Sequence, residues 1–388
     1  MTPAARAQAA IELIDAIAAA AREGGAAADN LIARYFKTRR YAGSTDRRAV
    51  RDLVFRAIRR SGTPPPSGRA ALLGLAAEEP SLRALFDGTP HGPSPIGDTE
   101  TAAEASPAPE WLLAQFDPLI DGGELAALLE RAPLDLRINR LKPPPAIAGA
   151  APTPHSPIGL RLPEAGNVER TEAWRTGQIE VQDEGSQLVC LGCAAMPGTR
   201  VVDLCAGAGG KTLALAAEMA NQGAILACDS DRGRLSRMPP RLERAGVSIV
   251  ETRLLDPGRE AAALADLAGQ ADLVLVDAPC SGTGTWRRNP ETRWRVTPDR
   301  LDRLVALQAH LLDIAAELVR PGGHLVYAVC SLLAVEGRDQ AARLGARSSL
   351  VPEPLPIAAG RDAGSGRLLS PARDGTDGFF IARWQRPC

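Results

Sequence analysis

The chain has 388 residues, a length that predicts two or three domains and excludes a small disulfide-stapled scaffold. Lys plus Arg number 45 against 46 Asp plus Glu, so a nucleic-acid partner would have to meet a local basic surface. No apolar run approaches the ~18–20 residues that span a bilayer. Seven cysteines, without the spacing of a disulfide framework, favour a reducing compartment. We expect a soluble, cytoplasmic protein with no membrane partner.

The N-terminal part, residues 1–130, is predicted to be a helical domain that includes a Pro/Gly-rich linker at 88–109. Basic residues greatly outnumber acidic ones between Arg34 and Arg60. An apolar stripe runs through this segment, which indicates an amphipathic helix with arginines on its other faces. An ordinary solvated face and an RNA-contacting face explain this pattern equally well. The candidate RNA contacts here are Arg47, Arg48 and Arg51.

A connecting segment is predicted at 131–180, with a short strand near Leu136–Leu141, before a larger domain at 181–388. In that domain short apolar runs alternate with helical stretches such as 213–219 and 301–319, which predicts a parallel sheet covered on both faces. The last strand, Asp377–Trp384, is expected at the edge of the sheet. The predicted strands before it are 201–203, 224–229, 248–250, 272–277 and 324–329.

A glycine-rich turn, Asp203–Thr212, follows the first strand of this domain and opens a helix. The ending Gly-Gly-Lys-Thr suggests a P-loop, but that motif needs a glycine where Cys205 stands. The dinucleotide fingerprint needs a third glycine separated from Gly209 by two residues, and Thr212 stands there instead. The segment therefore predicts a ligand pocket of another kind.

Carboxylates end four successive strands of the predicted sheet. They are Asp203, Asp229, Asp256 and Asp277, and Asp229 has the position that suits a ribose diol. Any one of them could be a helix cap or turn former, but four in register make that explanation weaker. Such a row repels a triphosphate and tolerates a cofactor with positive charge, as S-adenosylmethionine has.

Two cysteines follow neighbouring strands, Cys280 after the fourth and Cys330 after the fifth. A thiolate is a strong nucleophile, and methylation of carbon 5 of a pyrimidine requires a nucleophile that first adds to carbon 6. The alternative is that a free cysteine is a buried apolar residue, which we favour for Cys205 and Cys228. Cys190 and Cys193 have half of a zinc-site spacing with no second pair, so we expect no metal.

The segment after Cys280 interleaves tryptophans with arginines. Arginines neutralise phosphates and indoles stack on unpaired bases, so this loop is a candidate contact for single-stranded RNA. Packing in the core remains the alternative for Trp294. The residues assigned to RNA here are Trp286, Arg287 and Arg288.

Together these motifs resemble the Sun/Nop family of RNA cytosine carbon-5 methyltransferases, and in particular its bacterial RsmB (Fmu) type. The resemblance spans nearly the whole chain: 44–60 is similar to a NusB-like RNA-binding domain, and 136–141 and 182–189 are similar to the pre-catalytic segments. It implies a Rossmann-like α/β methyltransferase domain behind an all-α NusB-like domain. The signature motifs are carried by residues 203–212, 277–284, 329–331 and 377–380.

The resemblance also implies roles. Cys330 would be the nucleophile, Cys280 would assist product release, and Asp277 would lie near the target base. The family usually has Ala-Pro-Gly-Gly-Lys at 207–211 and Thr at Val329, and neither departure removes a reacting group. The residues implied to contact S-adenosyl-L-methionine are Cys205, Ala206, Gly207, Ala208, Gly209, Gly210, Lys211, Asp229, Asp256 and Asp277.

These inferences predict an enzyme that forms 5-methylcytosine in 16S small-subunit ribosomal RNA. The same chemistry permits a transfer-RNA substrate. A non-catalytic RNA-binding factor of ribosome assembly would require neither the two cysteines nor the strand-end acids. We expect a monomer.

Overall fold

The computed structural model describes residues 1–162 and 168–388, so five residues of the predicted connecting segment, 163–167, lie outside the described residues. The chain divides into two compact units. The helical unit comprises residues 1–116, 121–131 and 285–298, and the sheet unit comprises residues 117–120, 132–284 and 299–388. The division differs from the predicted boundaries, because 285–298 belongs to the helical unit and most of 131–180 to the sheet unit.

The helical unit is built on helices whose ends follow ordinary capping rules. Thr2 caps the first helix by accepting a hydrogen bond from the Ala5 amide, Pro3 occupies the first turn, and Gly24 ends it with a left-handed φ of 71°. The helices are α1 (Pro3–Glu23), α2 (Ala28–Lys37), α3 (Ser44–Arg60), α4 (Gly68–Glu78), α5 (Glu110–Leu113) and α6 (Gly122–Ala127).

The core of the helical unit forms between α1, α3 and α4. Ile14, Val54, Ile58 and Leu72 are fully buried in one apolar cluster, which also contains Trp294 from the segment 285–298. The amphipathic helix predicted at 44–60 is confirmed, and its apolar stripe forms the buried face.

A small antiparallel sheet opens the sheet unit in the order β2-β3-β1-β4. Its strands and the helix before the last of them are β1 (Leu134–Ile138), β2 (Ala151–Pro152), β3 (Gly159–Leu162), α7 (Glu172–Arg175) and β4 (Ile179–Val181). Leu136 and Ile179 form its buried core with Val168 and Ala173.

In the described part of the chain, nine strands form the main sheet, on the path β11-β12-β13-β9-β8-β5-β6-β7 with β10 added to β13. Strands β5 to β9 run parallel, and β13 pairs antiparallel with β9. The strands are β5 (Arg200–Asp203), β6 (Ala224–Asp229), β7 (Val250–Leu254), β8 (Ala271–Asp277), β9 (Val319–Val329), β10 (Val351–Glu353), β11 (Arg361–Ala363), β12 (Gly366–Leu369) and β13 (Phe379–Gln385).

The strand order reverses at β5, because the chain continues to β6 on one side and later returns to β8 on the other. Open α/β sheets bind ligands at such a switch point, at the carboxyl ends of the strands. Helices connect the strands: α8 (Glu184–Cys193), α9 (Gly210–Glu218), α10 (Arg232–Leu235), α11 (Met238–Ala245), α12 (Glu260–Ala263), α13 (Pro298–Leu318), α14 (Arg338–Arg347) and α15 (Pro371–Asp374). No helix of the described residues is long and apolar enough to cross a bilayer.

The predicted Rossmann-like α/β architecture is confirmed, with two local corrections. The third strand starts at Val250 rather than Ser248 and continues to Leu254. The final strand is not at the edge of the sheet, because β12 and β10 pair with the side of β13 that faces away from β9. It therefore lies inside the sheet, and Phe380 and Ile381 are fully buried.

Candidate active site

A cavity of about 280 Å³ opens at the carboxyl ends of the central strands. A second cavity of about 310 Å³ shares Cys205, Arg234 and Asp277 with it, so the two form adjoining parts of one cleft. Such a volume suits a small-molecule ligand. The predicted residues Cys205, Asp229, Asp277, Cys280 and Cys330 line the first cavity, and Asp203, Cys205, Ala206, Ala208, Gly210, Lys211 and Asp277 line the second.

The glycine-rich turn shapes the second cavity. Gly207 and Gly209 have positive φ values of 58° and 86°, conformations that side chains disfavour. A Cβ on Gly209 would also lie 2.7 Å from the Met238 side chain, whereas one on Gly210 would meet open space. The glycines therefore serve the tight turn at the start of α9 and leave its backbone accessible to a ligand.

Asp229 joins the turn to the end of β6. One of its carboxylate oxygens accepts a hydrogen bond from the Gly207 amide and the other from the Asp231 amide, each at 2.7 Å. Arg234 lies 3.7 Å from the same carboxylate. These contacts hold the carboxylate at the cavity wall, where its remaining lone pairs can accept two further donors.

Asp203 is fully buried at the end of β5 and accepts a hydrogen bond from the Thr212 hydroxyl at 2.7 Å. Burial raises the pKa of Asp203 to about 7, although the bond from Thr212 acts in the opposite direction. Among the described residues its second oxygen, Oδ1, has no hydrogen-bond partner. A buried carboxylate with one unused oxygen beside a cavity is suited to a donor from a ligand.

Lys211 and Asp277 form an ion pair at 2.6 Å on the same wall. Burial lowers the pKa of Lys211, but the Asp277 carboxylate and nearby cysteine sulfurs outweigh that effect and raise it. The ammonium therefore stays charged and also lies 5.5 Å from the centre of the Phe379 ring.

The sulfurs of Cys280 and Cys330 lie 3.4 Å apart in the first cavity. This contact arises because β8 and β9 are parallel neighbours, with Cys330 directly after β9 and Cys280 in the loop that follows β8. The hydrogen bond with Cys330, burial and the Glu336 carboxylate all raise the pKa of Cys280, so this sulfur favours the thiol form. The pair can supply one nucleophilic and one protonated sulfur to the same substrate molecule.

Asp256 is a predicted cofactor contact that the fold does not bring to the cleft. It is exposed beyond β7 and lines neither cavity. Glu260, which lines the first cavity, is a buried carboxylate 3.3 Å from His310. Sequence reasoning missed Glu260, and its helical surroundings gave no signal that distinguished it from a surface acid.

The RNA-binding prediction for Trp286 is wrong. Its side chain is 0% exposed and packs edge-on against Phe116, with ring centres 5.7 Å apart. The Arg287 side chain is also buried, and Arg288 is partly buried. The core alternative is correct for Trp294, whose indole nitrogen donates to the Ser61 carbonyl at 2.7 Å.

The three arginines predicted on α3 remain at the surface of the helical unit. Arg47, Arg48 and Arg51 are exposed, as are Arg34, Lys37 and Arg40 nearby. Arg51 also pairs with Asp29 at 2.6 Å, a surface contact of small energy. This exposed basic face is defined by Arg34, Lys37, Arg40, Arg47, Arg48 and Arg51.

Three of the remaining cysteines occupy structural positions. Cys190 and Cys193 are buried in α8, and burial raises the pKa of Cys190 to about 12. Cys228 is buried in β6, as expected, whereas Cys205 lines both cavities. Within residues 1–162 and 168–388 no group of three or more His, Cys, Asp or Glu side chains is arranged to hold a metal ion.

Residues 193–385 match the family described as 16S rRNA methyltransferase RsmB/F. The match begins in α8 and contains the glycine turn, Asp277 and both cysteines of the cleft. The chain belongs to this family. The RsmB/F match therefore covers every lining residue of the first cavity and most lining residues of the second.

Relatives with curated names agree with the RsmB/F assignment. "Ribosomal RNA small subunit methyltransferase B" of Xanthomonas campestris pv. campestris is 36% identical over 290 residues, which are 71% of this chain and 65% of that protein. The protein of the same name from Salmonella paratyphi C is 32% identical over 293 residues, with the same shares. The aligned part thus spans 65% of the length of these relatives.

Solved structures share the fold. The crystal structure of PH0851 superposes with a TM-score of 0.75 at 23% identity and covers 98% of this chain and 99% of its own. A methyltransferase homolog protein from Pyrococcus horikoshii gives a TM-score of 0.59 at 28% identity over 68% of this chain and 90% of its own. The structure of NSun6 from Pyrococcus horikoshii with SFG gives a TM-score of 0.64 at 19% identity. The superposition covers 71% of this chain and 97% of the NSun6 chain.

Proposed function

We propose that this protein is an S-adenosylmethionine-dependent methyltransferase that forms 5-methylcytosine in 16S ribosomal RNA in the cytoplasm. Membership of the RsmB/F family supports the reaction and the class of substrate. The observation that carries the proposal is the pair of cysteine sulfurs, 3.4 Å apart, in a cavity also lined by Asp229 and Asp277. Cytosine methylation at carbon 5 needs a sulfur nucleophile, and release of the product needs a second group.

The residues of the cleft fit the cofactor. Asp229 at the end of β6 suits the two ribose hydroxyls. The unused Oδ1 of buried Asp203 suits a cationic amino group, and the open backbone at Gly210 admits the ligand between them. When bound, S-adenosylmethionine supplies the methyl group at an electrophilic carbon.

In the proposed reaction the Cys330 thiolate forms a bond to carbon 6 of the cytosine, and the electron pair of the carbon 5–carbon 6 double bond becomes available at carbon 5. After methyl transfer the carbon 5 proton passes to solvent water, the electron pair of the carbon 5–hydrogen bond restores the carbon 5–carbon 6 double bond, and the sulfur–carbon 6 bond breaks. The electron pair of that bond returns to the Cys330 sulfur, to which the Cys280 thiol, 3.4 Å away, can donate a hydrogen bond. Asp277, held by Lys211, can accept a hydrogen bond from the base. This assignment uses both cysteines and the ion pair of the cleft.

The assignment of the two sulfurs follows the resemblance and has support from electrostatics. The raised pKa of Cys280, caused by Cys330, burial and Glu336, favours a thiol, and a thiol is a poor nucleophile. Cys280 is therefore better suited to the release step than to the attack. Attack from Cys330 leaves the protonated Cys280 sulfur beside the adduct.

The exposed basic face of the helical unit is the proposed RNA contact. Its arginines are available to phosphates, which dominate the affinity of nucleic-acid binding. The names of the relatives support ribosomal RNA, rather than another RNA, as the molecule bound at this face.

The test is methyl transfer from labelled S-adenosylmethionine to purified 16S ribosomal RNA and to transfer RNA, followed by nucleoside analysis. We expect 5-methylcytosine in the ribosomal RNA, and no transfer by the Cys330→Ala variant although its cofactor affinity stays nearly unchanged. Methyl label found only in transfer RNA would show that transfer RNA, and not ribosomal RNA, is the substrate. Transfer to neither RNA, nor to assembling small subunits, would favour the binding-factor alternative.

A further inference from the structure

Glu336 is a fully buried carboxylate to which the proposed reaction assigns no step. It is 0% exposed and lines neither cavity. One oxygen, Oε1, accepts hydrogen bonds from the Ser281 amide and the Gln308 side-chain amide, both at 2.9 Å. The other, Oε2, accepts from the Ser331 hydroxyl at 2.6 Å and from the Ser281 hydroxyl. Four donors thus converge on one side chain.

The donors on Glu336 come from both cysteine loops. Ser281 directly follows Cys280, and Ser331 directly follows Cys330. The two hydroxyls also contact each other at 3.2 Å, and Thr283 ties the loops together again by a contact of 3.1 Å with Ser331. The loops after β8 and β9 are therefore fixed to the same carboxylate, one residue away from each sulfur.

Filling space in a protein core with a carboxylate is energetically unfavourable. Removing a charge from water is energetically unfavourable, and apolar residues of similar volume often stabilise a fold as well or better. A carboxylate, however, accepts at both oxygens and donates nothing, which matches four donors converging from two loops. The network is fully satisfied at Glu336, and such networks hold their members rigidly.

We propose that Glu336 is a positioning residue that sets the separation of the Cys280 and Cys330 sulfurs by holding both cysteine loops on one carboxylate. Its importance for catalysis rests on the proposed function, because only that reaction needs one sulfur to attack and the other to release at the same base. The separation itself can be measured without any methyl transfer.

Two variants of Glu336 distinguish a role in holding the two cysteine loops from a role in filling space. In Glu336→Gln the amide oxygen can accept from the Ser281 and Gln308 amides, while the amide NH₂ donates to the serine hydroxyls, which rotate to accept. Glu336→Ala removes all four acceptor contacts. Glu184→Ala is the matched control, because Glu184 is an equally buried carboxylate that accepts from the His155 and Ser156 amides at 2.6 and 2.8 Å.

The measurement is the equilibrium of the folded full-length proteins with glutathione. Cys280 and Cys330 each lose one electron and one proton to form a disulfide. Glutathione disulfide takes up the two electrons and two protons and gives two glutathione thiols. Peptide mass spectrometry quantifies the Cys280–Cys330 disulfide, and urea unfolding of each variant monitors stability. Because a displacement of ~1 Å costs well-oriented reactions up to ~10²-fold, we expect Glu336→Ala to lower the effective concentration of the two thiols by about tenfold or more.

We expect Glu336→Gln to stay within about threefold of the wild type and Glu184→Ala to lose stability without a change in thiol pairing. A Glu336→Ala protein that pairs its thiols like the wild type, or a Glu184→Ala protein that loses pairing equally, would overturn the proposal. A wild type that forms no Cys280–Cys330 disulfide would overturn the sulfur placement on which it depends. Altered pairing in Glu336→Ala together with a wild type that methylates no RNA would refute the proposed function and leave the positioning role standing.

Discussion

Asp203 illustrates at the residue scale how the cleft is built at a cost in stability. Its carboxyl group is completely buried, has a single hydrogen bond from Thr212 and leaves Oδ1 without a partner among the described residues. Buried polar atoms with a purely structural role are normally hydrogen-bonded. An incompletely satisfied acid at the end of β5 is the kind of local conflict that functional sites retain.

The Asp203→Asn variant tests this conflict through pH. Burial raises the pKa of Asp203 from an ordinary 3.8 to about 7 in the folded state. Between pH 3.8 and about 7, the Asp203 carboxyl group is ionised in the unfolded chain but still protonated in the folded protein. The wild type therefore loses stability relative to Asp203→Asn as the pH rises toward 7. The total loss is on the order of a few kcal/mol and is complete above the folded pKa.

Urea unfolding of both proteins between about pH 5 and 8.5 measures that difference, because every other group titrates in both. The expected result is a difference in the free energy of unfolding that changes up to about pH 7 and then levels off. A difference that is constant across the whole range would contradict the raised pKa of Asp203.

At the scale of elements, the segment 285–298 is the part of the chain whose observed role differs most from the role predicted from sequence. Arg293 is 0% exposed and donates to the carbonyl oxygens of Ile58, Arg59 and Pro107. Arg295 donates to the Gly25 and Ala26 carbonyls at 2.8 and 2.7 Å. Arginines in this segment thus satisfy carbonyls at helix ends instead of phosphates.

Replacing Arg293 with alanine should destabilise the helical unit by on the order of 3 kcal/mol, because buried carbonyls lose charge-assisted partners. Arg295→Ala serves as the control, since its side chain is more exposed and its loss should cost less. Urea unfolding followed by tryptophan fluorescence reports on the region directly through Trp286 and Trp294. Equal stability of Arg293→Ala and the wild type would contradict this structural role.

Helix α3 is the element that carries the proposed RNA contact. Substituting Arg47, Arg48 and Arg51 together with alanine should reduce the slope of log K against log salt by about 2–3, because each phosphate contact contributes ~0.7–0.9. The matched control is Arg56→Ala/Arg60→Ala, since these two arginines pair with Glu79 and Glu78. An RNA-binding slope that is unchanged in the triple variant would remove this face from the interface.

For the whole molecule, local patterns predicted the sheet unit well because its strands are short apolar runs and its acids stand at strand ends. The 224–229 strand is observed as predicted, and the adjacency of Cys280 and Cys330 follows from parallel neighbours. The position of β13 inside the sheet could not be predicted, because it depends on distant pairings such as Val351 with Gln385.

Tertiary packing also decided the residues that the sequence analysis misjudged. Interleaved Trp and Arg are typical of both an RNA-binding loop and a buried segment, and only the packing of Trp286 against Phe116 separates the two. Glu336 gave a weak signal as a lone acid after the apolar run Leu332–Val335. Its convergence with Ser281 and Gln308 becomes visible only when the loops are assembled.

The central claim concerns the division of labour between the two sulfurs, and a denaturing gel tests it most directly. Cys280→Ala protein is incubated with S-adenosylmethionine and end-labelled 16S ribosomal RNA, and the gel is examined for label that migrates with protein. Because release is impaired while attack is not, we predict a denaturant-resistant adduct that disappears in the Cys280→Ala/Cys330→Ala double variant. Methyl transfer by the wild type with no adduct in Cys280→Ala would contradict the assigned roles.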